Sequence, residues 1–263
     1  MLRRSVKFGL TIAALLQIQG CGKQAYFVAK EEPWRADEER RCLASGYVRN
    51  NPHISRRSAL GGPSACGAIQ PLYVSATAHG AVSLTPQATL QCPMVPATDH
   101  WVVTSVMPAA RRYFRMDVVE LKVAASYSCR PRNGIAGGVL SEHGLANALD
   151  ISAFVLADGR KISVLTGWKG NAAEREFLRA VHRGACRTFT TVLGPNADAF
   201  HRDHFHLDLA RHGRRGADPG CGAPTTIWEM EHIQKSRRLQ RISNATVLIF
   251  HCHTLYVTSG AVC

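Results

Sequence analysis

The chain has little acid, no CxxC pair and no apolar run of membrane-spanning length. Asp and Glu number 19 against 32 Lys and Arg, a formal net charge of +13. Such a balance draws polyanions of any kind (nucleic acid, an anionic membrane face, acidic wall polymers) and selects none of them. No two of the nine cysteines stand as CxxC, which argues against a zinc finger or ribbon. The run from Phe8 to Ile18 is too short to cross a bilayer comfortably. Gly and Pro, 22 and 12 in number, recur at no fixed period, so fibrous and repeat architectures are excluded.

What remains is a chain of 263 residues, 46% hydrophobic, long enough to bury one sizeable core. Arg3, Arg4 and Lys7 precede the short apolar run, the pattern of a secretory signal over residues 1–21. Ile18-Gln19-Gly20-Cys21 resembles a bacterial lipobox, which makes Cys21 a candidate lipid anchor. Export to the periplasm or cell envelope is the expectation. The other eight cysteines are Cys42, Cys66, Cys92, Cys129, Cys186, Cys221, Cys252 and Cys263. An even set in an exported chain reads as disulfides, with connectivity left open.

Residues 22–55 are rich in charge of both signs and read as a linker; residues 56–222 read as the domain; residues 223–263 read as a basic C-terminal extension of unassigned role. Short apolar runs predict strands at Pro71–Val74, Val82–Leu84, Val118–Val123, Ile151–Leu156, Thr191–Leu193 and Phe205–Leu209. Asp158-Gly159 predicts a hairpin into Lys161–Leu165. Helical spacing predicts Ala97–Arg112, with Pro108 as a kink or boundary, and Ala172–Arg187. Arg130–Gly138 reads as a loop. The mixture predicts an α+β domain.

Two segments carry candidate chemistry: Ser141-Glu142-His143 through Asn147-Ala148-Leu149-Asp150, and His201-Arg202-Asp203-His204-Phe205-His206-Leu207-Asp208. A catalytic zinc takes three protein ligands and leaves a position for water. His204 and His206, two apart on a strand, would point to one face. His143 and Asp150 could meet them from a loop and a strand, and His206 would complete a His, Asp, His set. Asp203 is placed to accept a proton from the attacking water. Arg130 could face a developing oxyanion or grip a substrate carboxylate. Asp208 reads as support for the site or a turn cap. His201 reads as a supporting or surface residue, and His251 and His253 as a coincidental tail feature.

Ser126-Tyr127-Ser128-Cys129-Arg130, the two segments above, Pro108-Ala109-Ala110, Trp168, Phe177-Leu178-Arg179 and Leu193-Gly194-Pro195 resemble the bacterial extensin-like C-terminal domain family over roughly residues 40–222. That family is similar in turn to the D-Ala-D-Ala carboxypeptidase and hedgehog superfamily of zinc peptidases. The resemblance implies a small central antiparallel sheet with flanking helices. It also implies one Zn2+ per chain at His143, Asp150 and His206, and a catalytic role for Asp203, His204 or both. The superfamily's glycine three residues after the first His is Ala146 here. If that position needs a positive φ, Ala146 strains it by about 1 kcal/mol.

The expected function is an exported zinc-dependent peptidase acting on amide bonds of peptidoglycan peptides. The alternative is a wall-binding or structural module of the same fold without turnover. Nucleic acid is not an expected partner, because an exported, disulfide-rich chain meets little of it.

Overall fold

A computed structural model gives the fold and describes residues 27–29, 32–61 and 65–212. The candidate signal, Cys21 and the tail from residue 213, with His251 and His253, lie outside the described residues.

Helix α1 (Pro33–Ala44) comes first, followed by β1 (Ile54–Arg56), β2 (Leu60–Gly61), β3 (Gly67–Ala68), β4 (Leu72–Thr77) and β5 (Val82–Leu90). Helices α2 (Met94–Trp101) and α3 (Met107–Phe114) are joined by a π turn over Val102–Val106. Strand β6 (Val118–Ala125), β7 (Ala148–Leu156) and β8 (Lys161–Ser163) follow. The short α4 (Val164–Gly167), α5 (Ala172–Ala185), β9 (Thr191–Leu193) and β10 (Phe205–Asp208) complete the described chain. The class is α+β, as the pattern of short runs implies.

The sheet departs from the small antiparallel one that the family resemblance implied. It has eight strands in the order β1-β4-β5-β6-β7-β10-β9, with β8 on β7, and it is mixed. Strands β5 and β6 run parallel, with Ser83 opposite Glu120. Parallel neighbours need a long crossover. The α2–π–α3 segment between them supplies it. Pro108 is the second residue of α3, directly after the π turn, so the proline marks the junction of the two helices.

The segment read as a linker, residues 22–55, contains the 12-residue α1, whose inward side chains pack on the domain. Cys42 is buried there and bridges to Cys92. Glu39, also buried, accepts hydrogen bonds from the backbone N–H of Ile69 (3.0 Å) and Gln70 (2.9 Å). The charge-rich composition concealed a helix that is anchored by only a few inward residues.

The core lies between the sheet and α2, α3 and α5. Trp101, Phe154, Phe177, Phe189 and Phe205 are fully buried and contribute to it. Phe154 meets Trp101, Phe177 and Phe205 edge-on or tilted, with ring centroids 5.2–6.2 Å apart. Such pairs add about 0.5–1.5 kcal/mol each beyond area burial. The indole N–H of Trp101 donates to the Val181 carbonyl of α5 (3.1 Å), so the buried polar edge is satisfied.

The sheet's centre positions the candidate site. The outer edge of β7 is shared: its first half pairs with β10 and its second half with β8. The β7–β8 hairpin turns at Asp158-Gly159 as expected, with Gly159 at φ 85°.

Candidate metal centre

Strands β7 and β10 are antiparallel, with His206 directly opposite Asp150. The alternation of side chains then sorts each strand. Leu149, Ile151, Phe205 and Leu207 enter the hydrophobic core. Asp150, His206 and Asp208 project to the other side, yet all three are also buried.

His143 arrives from a 3-10 turn, Glu142–Leu145. Ser141 caps the turn by accepting from the His143 N–H. At its end Ala146 takes a left-handed conformation, φ 52° and ψ 24°. That conformation lets the Ala146 N–H reach the His143 carbonyl (3.2 Å) and the Asn147 N–H reach that of Glu142 (3.0 Å). The position does require positive φ, and alanine there costs about 1 kcal/mol relative to glycine.

Three side chains converge. His143 Nε2 lies 3.0 Å from Asp150 Oδ2 and 3.2 Å from His206 Nδ1, and His206 Nδ1 lies 2.9 Å from Asp150 Oδ1. The outward ring nitrogens are also engaged. His143 Nδ1 faces the Ser126 carbonyl. His206 Nε2 faces Asp208 Oδ2 at 2.9 Å. A carbonyl and a carboxylate only accept, so each outward nitrogen carries a proton, and each inward nitrogen is left to share a proton with Asp150 or to offer a lone pair to an ion. Two lone pairs and a carboxylate turned on one another need a cation between them, either a proton or a metal ion. Ligands around a tetrahedral zinc at 2.0–2.1 Å stand about 3.3 Å apart, close to the separations here. The residues fit a zinc-type ion. Among the described residues, His143, Asp150 and His206 form the one group of three metal-ligating side chains close enough to share an ion.

The electrostatics agree. Burial disfavours the charged form of Asp150, but hydrogen bonds from His143 and His206 outweigh it and hold the carboxyl well below the usual range. Burial likewise disfavours the His206 cation. The carboxylates of Asp150 and Asp208 on its two nitrogens win and push it up to about 10.

Around this group lies a cleft of about 460 Å³, lined among others by Arg130, Asp198, His201, His204 and His212. His204 Nε2 stands 3.6 Å from Asp150 Oδ2, while its Nδ1 donates to Asp203 Oδ1 at 2.8 Å. Asp203 itself is exposed, on the far side of the ring. The two residues left open as base are thus arranged in series, with the imidazole nearer the centre. His201 pairs with Asp198 (2.7 Å) and packs its ring 5.7 Å from that of His206. Arg130 is on the cleft wall. Asp208 fills both of its expected parts: it holds His206 and caps the turn at the Ala210 N–H (2.9 Å).

The supports of the His143 turn escaped sequence reading. Glu142, buried beside His143, takes both guanidinium arms of Arg35 in α1 at 2.7 Å and the Asn147 amide at 2.6 Å. Asn147 in turn accepts from Gln91. A Glu inside so apolar a motif is the one available signal; nothing local identifies Arg35, 107 residues away.

A family model described as Extensin-like protein C-terminus matches residues 40–219. No curated protein and no solved structure matches the chain.

Proposed function

The chain belongs to the extensin-like protein C-terminus family, and from that premise and the converging lone pairs of its buried triad we propose an exported zinc-dependent peptidase acting on peptidoglycan peptides. The proposal includes kinship with the D-Ala-D-Ala carboxypeptidase and hedgehog zinc peptidases. It places the protein in the periplasm or cell envelope, with Cys21 as a lipid anchor. The observation that carries it is the geometry of His143, Asp150 and His206, with an outer partner in place on each histidine.

His143, Asp150 and His206 would hold the ion, and the cleft would leave its remaining position open. Zinc bound there would lower the pKa of a water from about 15.7 towards ~7 and polarise the scissile carbonyl. Asp208 and the Ser126 carbonyl keep the inward nitrogens of the two histidines free to ligate. His204, held by Asp203, faces the cleft and is placed to take the water's proton and deliver it to the leaving amine. Arg130 on the wall supplies a fixed positive charge for the oxyanion or for a substrate carboxylate. The +13 net charge favours residence on anionic wall polymer.

The test is cleavage of muropeptides by the full chain, with and without chelator. A new amine end, lost on chelation and restored by zinc, is the expected result. A second reading, a wall-binding module without turnover, is favoured by the strained Ala146. Sedimentation with sacculi, no product, and no change on His206→Ala would support that reading instead.

A further inference from the structure

Two disulfides join described residues, and they differ in place. Cys42–Cys92 is sealed in the core, its halves 2% and 0% exposed. Cys66–Cys129 links the segment before β3 to the loop after β6. Cys66, 6% exposed, borders a second cavity, of about 490 Å³, between α1 and the His143 turn, and Cys129 is only half-buried.

The loop that Cys129 belongs to clasps the turn that carries His143. The Ser126 carbonyl accepts from His143 Nδ1, the Ser128 N–H donates to the His143 carbonyl (3.1 Å), and the Ser141 N–H donates to the Arg130 carbonyl (3.1 Å). On the turn's other side, Cys66 Sγ packs against Gly144. A Cβ there would lie 3.2 Å from that sulfur and 2.7 Å from Leu140 Cδ1. Strand pairing ends with Ala125. Beyond it the loop is held by the bridge, by those bonds to the His143 turn, by the Thr89 N–H to Ser126 Oγ bond (3.0 Å), and by the Pro131–Leu140 pairing with the backbone bonds Arg132 N–H to Val139 carbonyl and Val28 N–H to Gly138 carbonyl (both 2.8 Å). His206, by contrast, is fixed by strands on both sides.

We infer that the Cys66–Cys129 bridge is a positioning element of the metal centre, and that its reduction loosens His143 and weakens metal binding while the core bridge stays intact. The inference rests on the metal reading above. Chemically, a small dithiol attacks at Cys129, the more exposed half; the Cys66–Cys129 S–S bond breaks, and two protein thiols form. The two electrons and two protons come from the dithiol, which closes to its own disulfide. An accessible disulfide exchanges where a sealed one does not.

The test compares three full-length proteins: native, Cys66→Ala/Cys129→Ala, and Cys42→Ala/Cys92→Ala. Zinc affinity by chelator competition should fall about tenfold to a hundredfold in the first pair, the range for a lost outer support, and stay unchanged in the second. A metal-independent readout is the His143 Nδ1–H proton resonance. It should persist in the native and core-bridge proteins and vanish when Cys66 and Cys129 are removed, with the Leu149 and Leu207 methyl signals unmoved. Unchanged affinity together with a retained resonance overturns the inference. If the variant does not fold, the native chain titrated with dithiothreitol, with its new thiols mapped by mass, decides instead. Reduction of Cys66 and Cys129 that leaves the resonance and affinity intact overturns it equally. If the native chain binds no zinc, the metal reading fails, and the resonance alone still decides whether the bridge positions His143.

Discussion

The two faces of strands β7 and β10 alternate along the same short stretches of chain and are buried to nearly the same depth. One face holds Leu149, Ile151, Phe205 and Leu207, each fully buried; the other holds Asp150, His206 and Asp208, at 4%, 8% and 3% exposure. The polar face of a two-sided strand usually meets water. Here it is buried, so its charges must be paired or must coordinate an ion. The apolar face contributes stability without regard to direction. The polar face is stable only as a set, because removing one member strands the others. That difference separates a packing role from a functional one within eight residues of chain, four on each strand.

The contrast can be broken from either side. The largest expected effect is on the apolar face: Leu207→Ala should destabilise the protein by about 2–5 kcal/mol in denaturant titration, with zinc affinity in the folded state unchanged. Weaker zinc binding in that variant would mean that the two faces are not independent. On the polar face, Asp150→Asn removes a ligand at constant shape. It should weaken zinc binding by at least about a hundredfold, beyond Asp208→Asn, for which calorimetry should read about tenfold to a hundredfold.

A third measurement varies pH. The His206 pKa is raised by its two carboxylates, so its stabilising contribution to the metal-free protein is complete below the unfolded value of about 6.5. It is lost as pH climbs towards about 10. Metal must displace that proton, so zinc affinity should rise by up to about tenfold per pH unit across the same window. A pH-independent affinity would place the proton elsewhere. The smallest effect is expected at Ala146→Gly, which relieves the left-handed strain. Thermal unfolding should show a gain of about 1 kcal/mol with the zinc affinity kept.

Much of this was legible along the chain. The alternation in Phe205-His206-Leu207-Asp208 announces both faces at once, and the spacing of His143, Asp150 and His206 marks the group that meets. The amphipathic α5 and the Asp158-Gly159 turn are local events with local signals. The parallel pairing of β5 with β6 is not local. It depends on where α2 and α3 carry the chain, and no residue in either strand encodes that. Helix α1 escaped for a different reason: its hold on the domain is a disulfide, a buried Glu39 and the Arg35–Glu142 pair, each a contact across distant sequence. The order of His204 and Asp203 around the centre likewise depends on a loop conformation that spacing leaves open.

The central claim is that three buried side chains close on one divalent ion. The most direct test is metal content and titration of the purified full chain, native and His143→Ala side by side. The account predicts one zinc per native chain, removable by chelator and reloaded to the same stoichiometry, and none in the variant. A native protein that is folded, free of metal and indifferent to added zinc would contradict it.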